Sequence, residues 1–134
     1  MTDPQQALIY GMIAASVADM NMKDIELARI SEMVAHLPIF DGFDPATLPE
    51  IADACVTLLQ REDGLDEMFD RIREALPERL RETAYALACD VVAADGNASQ
   101  EELRLLEMMR HQVGIDRLSA AAIERGAAAR YAHL

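Results

Sequence analysis

The sequence predicts an all-α fold, a helical bundle of about seven helices forming a single domain over residues 1–134. Three observations lead there. The apolar half of the chain is drawn from Ala, Leu, Ile and Met, and the polar part is rich in Glu, Arg and Gln, all but Ile among the better helix formers, while strand formers are few. Apolar residues recur at helical spacing, and no segment alternates with period two. Helix starts and stops, written as Asp-Pro, Ser-x-x-Glu, Asp-Gly and isolated Pro or Gly, recur along the chain with only short loops between them.

The first helix begins at Asp3-Pro4, an N-cap followed by proline at the first helical position, and carries Leu8, Met12 and Ala15 beside Ile9, Ile13 and Val17. It ends near Asp19. The turn 20–23 leads to a second helix with Ile25, Ile30, Met33, Val34 and Leu37 on one stripe, stopped by Pro38. Residues 39–43 form a loop around Asp41-Gly42. Asp44-Pro45 starts a third helix through Leu48, Ile51, Cys55 and Leu58, with Pro49 in its first turns where proline is tolerated. Asp63-Gly64 breaks the chain, and Leu65, Met68, Phe69, Ile72 and Leu76 mark a fourth helix. Pro77 opens a fifth, with Leu80, Ala84, Leu87 and Val91, ending at Asp95-Gly96. A sixth starts at Ser99 and stops at Gly114; a seventh starts near Asp116 and reaches toward Tyr131.

Charge narrows the partners. The formal net charge is −12, and residues 41–78 carry eleven acids against Arg61, Arg71 and Arg73. Such a surface repels phosphate, which argues against nucleic acid and against anionic membranes. Cations and basic protein surfaces are its natural partners. Cys55 and Cys89 lie within apolar helical patterns and read as buried free thiols, consistent with a reducing compartment. The longest largely apolar run, residues 8–18, is too short to span a bilayer, and Lys23 is the first positive side chain, so neither membrane insertion nor a signal peptide is expected. The expected location is cytoplasmic.

The chain also repeats itself at an offset of 76 residues. Asp19 pairs with Asp95, Asn21 with Asn97, Glu26 with Glu102, Leu27 with Leu103, Ile30 with Leu106 and Met33 with Met109. Each copy is a helix ending in Ala-Asp, a tight turn, and a second helix with a glutamate in its first turn. The two helix-turn-helix hairpins are expected to pack about a pseudo-twofold axis.

Asp, Asn and Glu within a few residues offer oxygen ligands of the kind Ca2+ and Mg2+ take. The turn is not an EF-hand: counted from Asp95, the positions for its glycine and bidentate glutamate hold Gln100 and Leu106. The competing explanation is local. Ser99 and Glu102 form a capping-box pattern that satisfies helix N-terminal donors, yet capping does not account for Asp19 and Asp95 at helix C-termini, where an acid opposes the dipole. Glu32 with His36 and Glu107 with His111 stand four apart rather than the three of ferritin-like sites, and read as surface helix pairs. No zinc spacing, nucleophile elbow or phosphate loop is present, so catalysis is the weaker class.

The phrase Ala93-Ala94-Asp95-Gly96-Asn97 followed by Glu101-Glu102-Leu103, with Ala18-Asp19 and Glu26-Leu27 near the start, resembles the bacterial tellurite-resistance TerB-like family over roughly residues 5–115. The resemblance implies a cytosolic helical bundle tied to tellurite or general stress resistance, with no established catalytic activity. It further implies metal-ion binding at the acidic turns and association with other resistance proteins, some at the membrane. Carried over by position, the acids are Asp19, Glu26, Asp95 and Glu102, with Asn97 beside them. The first copy departs from the pattern, with Met20 in place of the turn glycine and an added Lys23, which makes the second copy the better candidate. The expectation is therefore a non-catalytic binding or scaffold protein with a divalent cation at its hairpin turns. The alternatives are an acidic protein-interaction module whose turns are only capped and, less favoured, a helical-bundle metalloenzyme. Homodimerisation is left open.

Overall fold

The structure, a computed structural model, describes residues 2–18, 27–94 and 96–134. Seven α-helices run in chain order with no strand among the described residues: α1 (Pro4–Ser16), α2 (Leu27–Val34), α3 (Leu48–Leu59), α4 (Gly64–Ala75), α5 (Glu78–Ala94), α6 (Gln100–Val113) and α7 (Arg117–Arg130). The expected turn at residues 20–23 lies outside the described residues, as do Asp19, Glu26 and Asp95.

Helix α1 begins where Asp3-Pro4 directs it. The Asp3 carboxylate accepts from the Gln6 backbone N–H at 2.9 Å, and the Gln6 side chain accepts from Asp3 N–H at 3.4 Å, a reciprocal cap. Every residue from 7 to 15 is buried. A helix apolar on all sides belongs inside a bundle, and α1 is packed by α3, α4, α5 and α6. The approach is close at Gly11, where a methyl group would stand 3.3 Å from Met109 Cε of α6 and 3.7 Å from Ile72 Cδ1 of α4.

The middle of the chain differs from expectation in one respect. Asp44-Pro45 opens a short 3-10 helix (Pro45–Thr47) instead of α3 itself; Asp44 Oδ1 accepts from Ala46 N–H at 3.0 Å. The reason is Pro49, which has no N–H to donate to the Pro45 carbonyl, so an α-helical ladder cannot close there. The second helix stops at Val34, short of the expected end at Pro38, so Leu37 lies outside it, and Pro38 opens a second 3-10 turn (Pro38–Phe40). From α3 the chain turns back through Gly64, where a Cβ would lie 2.0 Å from the Leu58 carbonyl oxygen; only glycine permits that approach.

Helix α5 is the main partner of α1 and also packs along α7, while α6 contacts α4 and α5. Gly114 ends α6 in the left-handed conformation at φ 88°. Asp116 starts α7, accepting from the Ser119 N–H at 2.9 Å and the Ser119 hydroxyl at 2.7 Å. The backbone donor, then the hydroxyl, holds the Asp116 carboxyl below the usual range. Helices α1 and α5, which lead the two sequence repeats, do lie together, but the described residues do not establish the pseudo-twofold relation expected of the two hairpins.

Candidate functional site

The second-copy turn joins α5 to α6. Gly96 sits at φ 81° and donates its N–H to the Ala93 carbonyl at 3.1 Å, and Asn97 follows on an exposed stretch. Then comes a complete capping box. Ser99 Oγ accepts from Glu102 N–H at 3.1 Å, and Glu102 Oε1 accepts from Ser99 N–H at 2.8 Å. Glu102 is only 6% exposed, the buried charged side chain among the described residues. Its place at the helix N-terminus suits a carboxylate.

Of the five residues singled out as cation ligands, Asn97 and Glu102 are therefore described, and Asp19, Glu26 and Asp95 are not. Glu102 has one oxygen committed to the cap; Oε2 has no hydrogen-bond partner among the described residues. No group of three or more His, Cys, Asp or Glu among the described residues is arranged to hold a metal ion. The Glu107–His111 pair is not formed: His111 Nε2 lies 2.9 Å from the Arg110 guanidinium instead.

A larger feature begins at this same turn, where Gly96 and Ala98 line it. Helices α5, α6 and α7, with residues 131–133, enclose a groove of about 690 Å³. Its aliphatic surface comes from Val92, Leu103, Leu106, Ala127 and Ala128. Leu103 is 48% exposed, which is unusual for a leucine beside a core. Buried Tyr85 and Cys89 and exposed Glu124 supply polar groups to the lining, with Glu107, Arg110, Tyr131 and His133. Tyr85 is 1% exposed, and its hydroxyl donates to Glu124 Oε2 at 2.6 Å. Burial, then the hydrogen bond to Glu124, raises the Tyr85 phenol well above its ordinary range. Burial, then the Glu124 charge, pushes the Cys89 thiol up to about 12. At the rim, Arg130 of α7 forms an ion pair with Asp90 of α5.

Sequence reasoning missed this groove. Tyr85 and Glu124 are 39 residues apart and on different helices, so no local spacing joins them. Leu103 carried the one available signal, since it occupies an apolar repeat position yet lies beside exposed polar residues. Both cysteines are free and buried, as their apolar neighbours indicated. No helix among the described residues is long and apolar enough to cross a membrane.

A family model described as Tellurite resistance protein TerB matches residues 5–125. No curated protein and no solved structure matches the chain. Residues 126–134, which supply Ala127, Ala128, Tyr131 and His133 to the groove, lie beyond the matched span.

Proposed function

Because the chain belongs to the tellurite resistance protein TerB family, we propose that it serves a tellurite-resistance system as a non-catalytic, cytoplasmic binding module for other proteins, with the α5–α6–α7 groove as its binding face. One observation carries this reading. The side chains of nucleophilic type that line the groove, Cys89 and Tyr85, are only 4% and 1% exposed, and much of the lining around them is aliphatic. A thiol buried in apolar surroundings is a poor nucleophile. An open apolar groove with a few fixed polar groups suits binding.

The test is to fill the groove. Ala128 is exposed on α7 and lines it, so Ala128→Trp adds bulk there without entering the core. In a host whose tellurite resistance depends on this gene, the variant is expected to lose resistance while keeping its circular dichroism spectrum and Tm. Full resistance with the groove filled would overturn the reading.

A second reading concerns the α5–α6 turn, favoured by Glu102, whose Oε1 is committed to the cap while Oε2 is not. A carboxylate oxygen left over from a cap is a hard donor of the kind a divalent cation takes. On this reading Asp95, Asn97 and Glu102 take a divalent cation such as Ca2+ or Mg2+, with Asp19 and Glu26 as the first-copy counterparts. The cation would hold the turn and would not take part in a reaction. Calorimetric titration of the metal-stripped protein is expected to show saturable binding that disappears in Asp95→Asn/Glu102→Gln. Absence of binding in the unaltered protein, or binding unchanged in the double variant, would return Glu102 to capping alone.

A further inference from the structure

Resting on the reading of the α5–α6–α7 groove as a binding face, we propose that its occupant is a basic amphipathic peptide segment of a partner protein, with a lysine or arginine side chain received by Glu107 and Glu124 and its apolar residues on the groove floor. Glu107 stands on α6 and Glu124 on α7, so the two carboxylates come to the groove from different walls. Neither has a cationic partner among the described residues.

Arg110 also lines the groove and keeps its positive charge, its guanidinium hydrogen-bonded to His111, so the lining sets two acids against one arginine. Arg130 is paired with Asp90. Glu124 is held in place through Oε2 by the Tyr85 hydroxyl at 2.6 Å, which leaves Oε1 to accept from an incoming donor. The lining beside the two acids includes the aliphatic side chains Val92, Leu106 and Ala127 and the half-exposed Leu103.

A surface of this kind, with carboxylates among aliphatic side chains, matches a side chain with a long apolar stem and a cationic end, flanked by apolar residues. Lysine and arginine on an amphipathic helix provide that pattern. The formal net charge of −12 draws such a segment in from a distance. That same net charge attracts any polycation, so the assay has to separate the groove from the rest of the surface.

The probe is a fluorescein-labelled amphipathic helical peptide of leucine and lysine, followed by anisotropy at physiological salt. The unaltered protein is expected to bind it. Glu107→Gln/Glu124→Gln is expected to weaken binding by about tenfold or more. Glu62→Gln/Glu74→Gln removes the same charge from exposed positions outside the groove and is expected to weaken it by less than about twofold. A peptide with glutamate in place of lysine is expected not to bind. Equal weakening in the two double variants, equal binding of the glutamate peptide, or no binding at all would overturn the proposal. If Ala128→Trp abolishes resistance while the lysine peptide fails to bind, the groove remains the binding face and only the basic partner falls. If Ala128→Trp is neutral, the groove reading falls with it.

Discussion

The Tyr85 hydroxyl, on a side chain 1% exposed, donates to the Glu124 carboxylate at 2.6 Å, and this bond joins α5 to α7 across the floor of the groove. A buried phenol needs an acceptor, and an exposed carboxylate that supplies one is fixed by doing so.

Tyr85→Phe removes the donor and keeps the ring. Glu124 can turn to water, so the expected loss of stability is below that of a typical charged hydrogen bond, about 0.5–1.5 kcal/mol. Urea denaturation measures it. A double-mutant cycle with Glu124→Gln is expected to return a coupling energy between the two sites, and strict additivity would show that the bond contributes nothing.

The cap ahead of α6 separates two roles of Glu102. Ser99→Ala deletes the side-chain acceptor for the Glu102 N–H and is expected to cost about 0.5–2 kcal/mol. Glu102→Gln keeps a carbonyl oxygen for the Ser99 N–H and is expected to cost less than Ser99→Ala. A larger cost for Glu102→Gln would mean that the carboxylate charge matters beyond the cap.

Gly64 and Gly42 are required for different reasons. At Gly64 a Cβ would meet the Leu58 carbonyl oxygen at 2.0 Å, so Gly64→Ala forces the α3–α4 connection apart and is expected to cost upwards of about 3 kcal/mol. At Gly42 nothing stands within 4 Å, but φ is 80°, so Gly42→Ala is expected to cost only about 1–2 kcal/mol of backbone strain. Thermal denaturation of the two variants is expected to rank them in that order.

Stability is expected to fall in alkali. Burial raises the Cys55 and Cys89 thiols from 9.0 to about 12, and Tyr85 moves in the same direction. Between pH 9 and 12 the unfolded chain has lost these thiol protons and the folded chain has kept them, so rising pH favours unfolding. Below pH 9 the contribution is fully present and flat. Within the window each thiol is expected to lower stability by up to about 1.4 kcal/mol per pH unit. Cys55→Ala/Cys89→Ala, followed by denaturation across this range, is expected to flatten the curve, and an unchanged slope would contradict it.

How much of this was legible in the sequence depended on how local the controlling interaction is. Asp3-Pro4, Ser99 with Glu102, Gly114 and Asp116 set helix ends through bonds to residues within a few positions, and each is found where the sequence places it. Pro49 was read as tolerable in a helix start, and it is, but its effect on the Pro45 carbonyl shifted the boundary to Leu48. Asp95, Asn97 and Glu102 stood out because they are close in sequence. Tyr85, Glu107 and Glu124 did not, because α5, α6 and α7 bring them to one groove only after the bundle has formed. The exposure of Leu103 and the neutral state of Cys89 likewise depend on neighbours from other helices.

Helix α1 is synthesised before every helix that closes around it, α3, α4, α5 and α6. Its main partner, α5, begins 74 residues after it. At ordinary elongation rates that separation amounts to about 4–15 seconds, during which only α3 and α4 become available to cover part of α1. In a nascent chain α1 is therefore an apolar segment for a chaperone to hold until α5 is made. Moving α1 to the C-terminal end by circular permutation would shorten that interval.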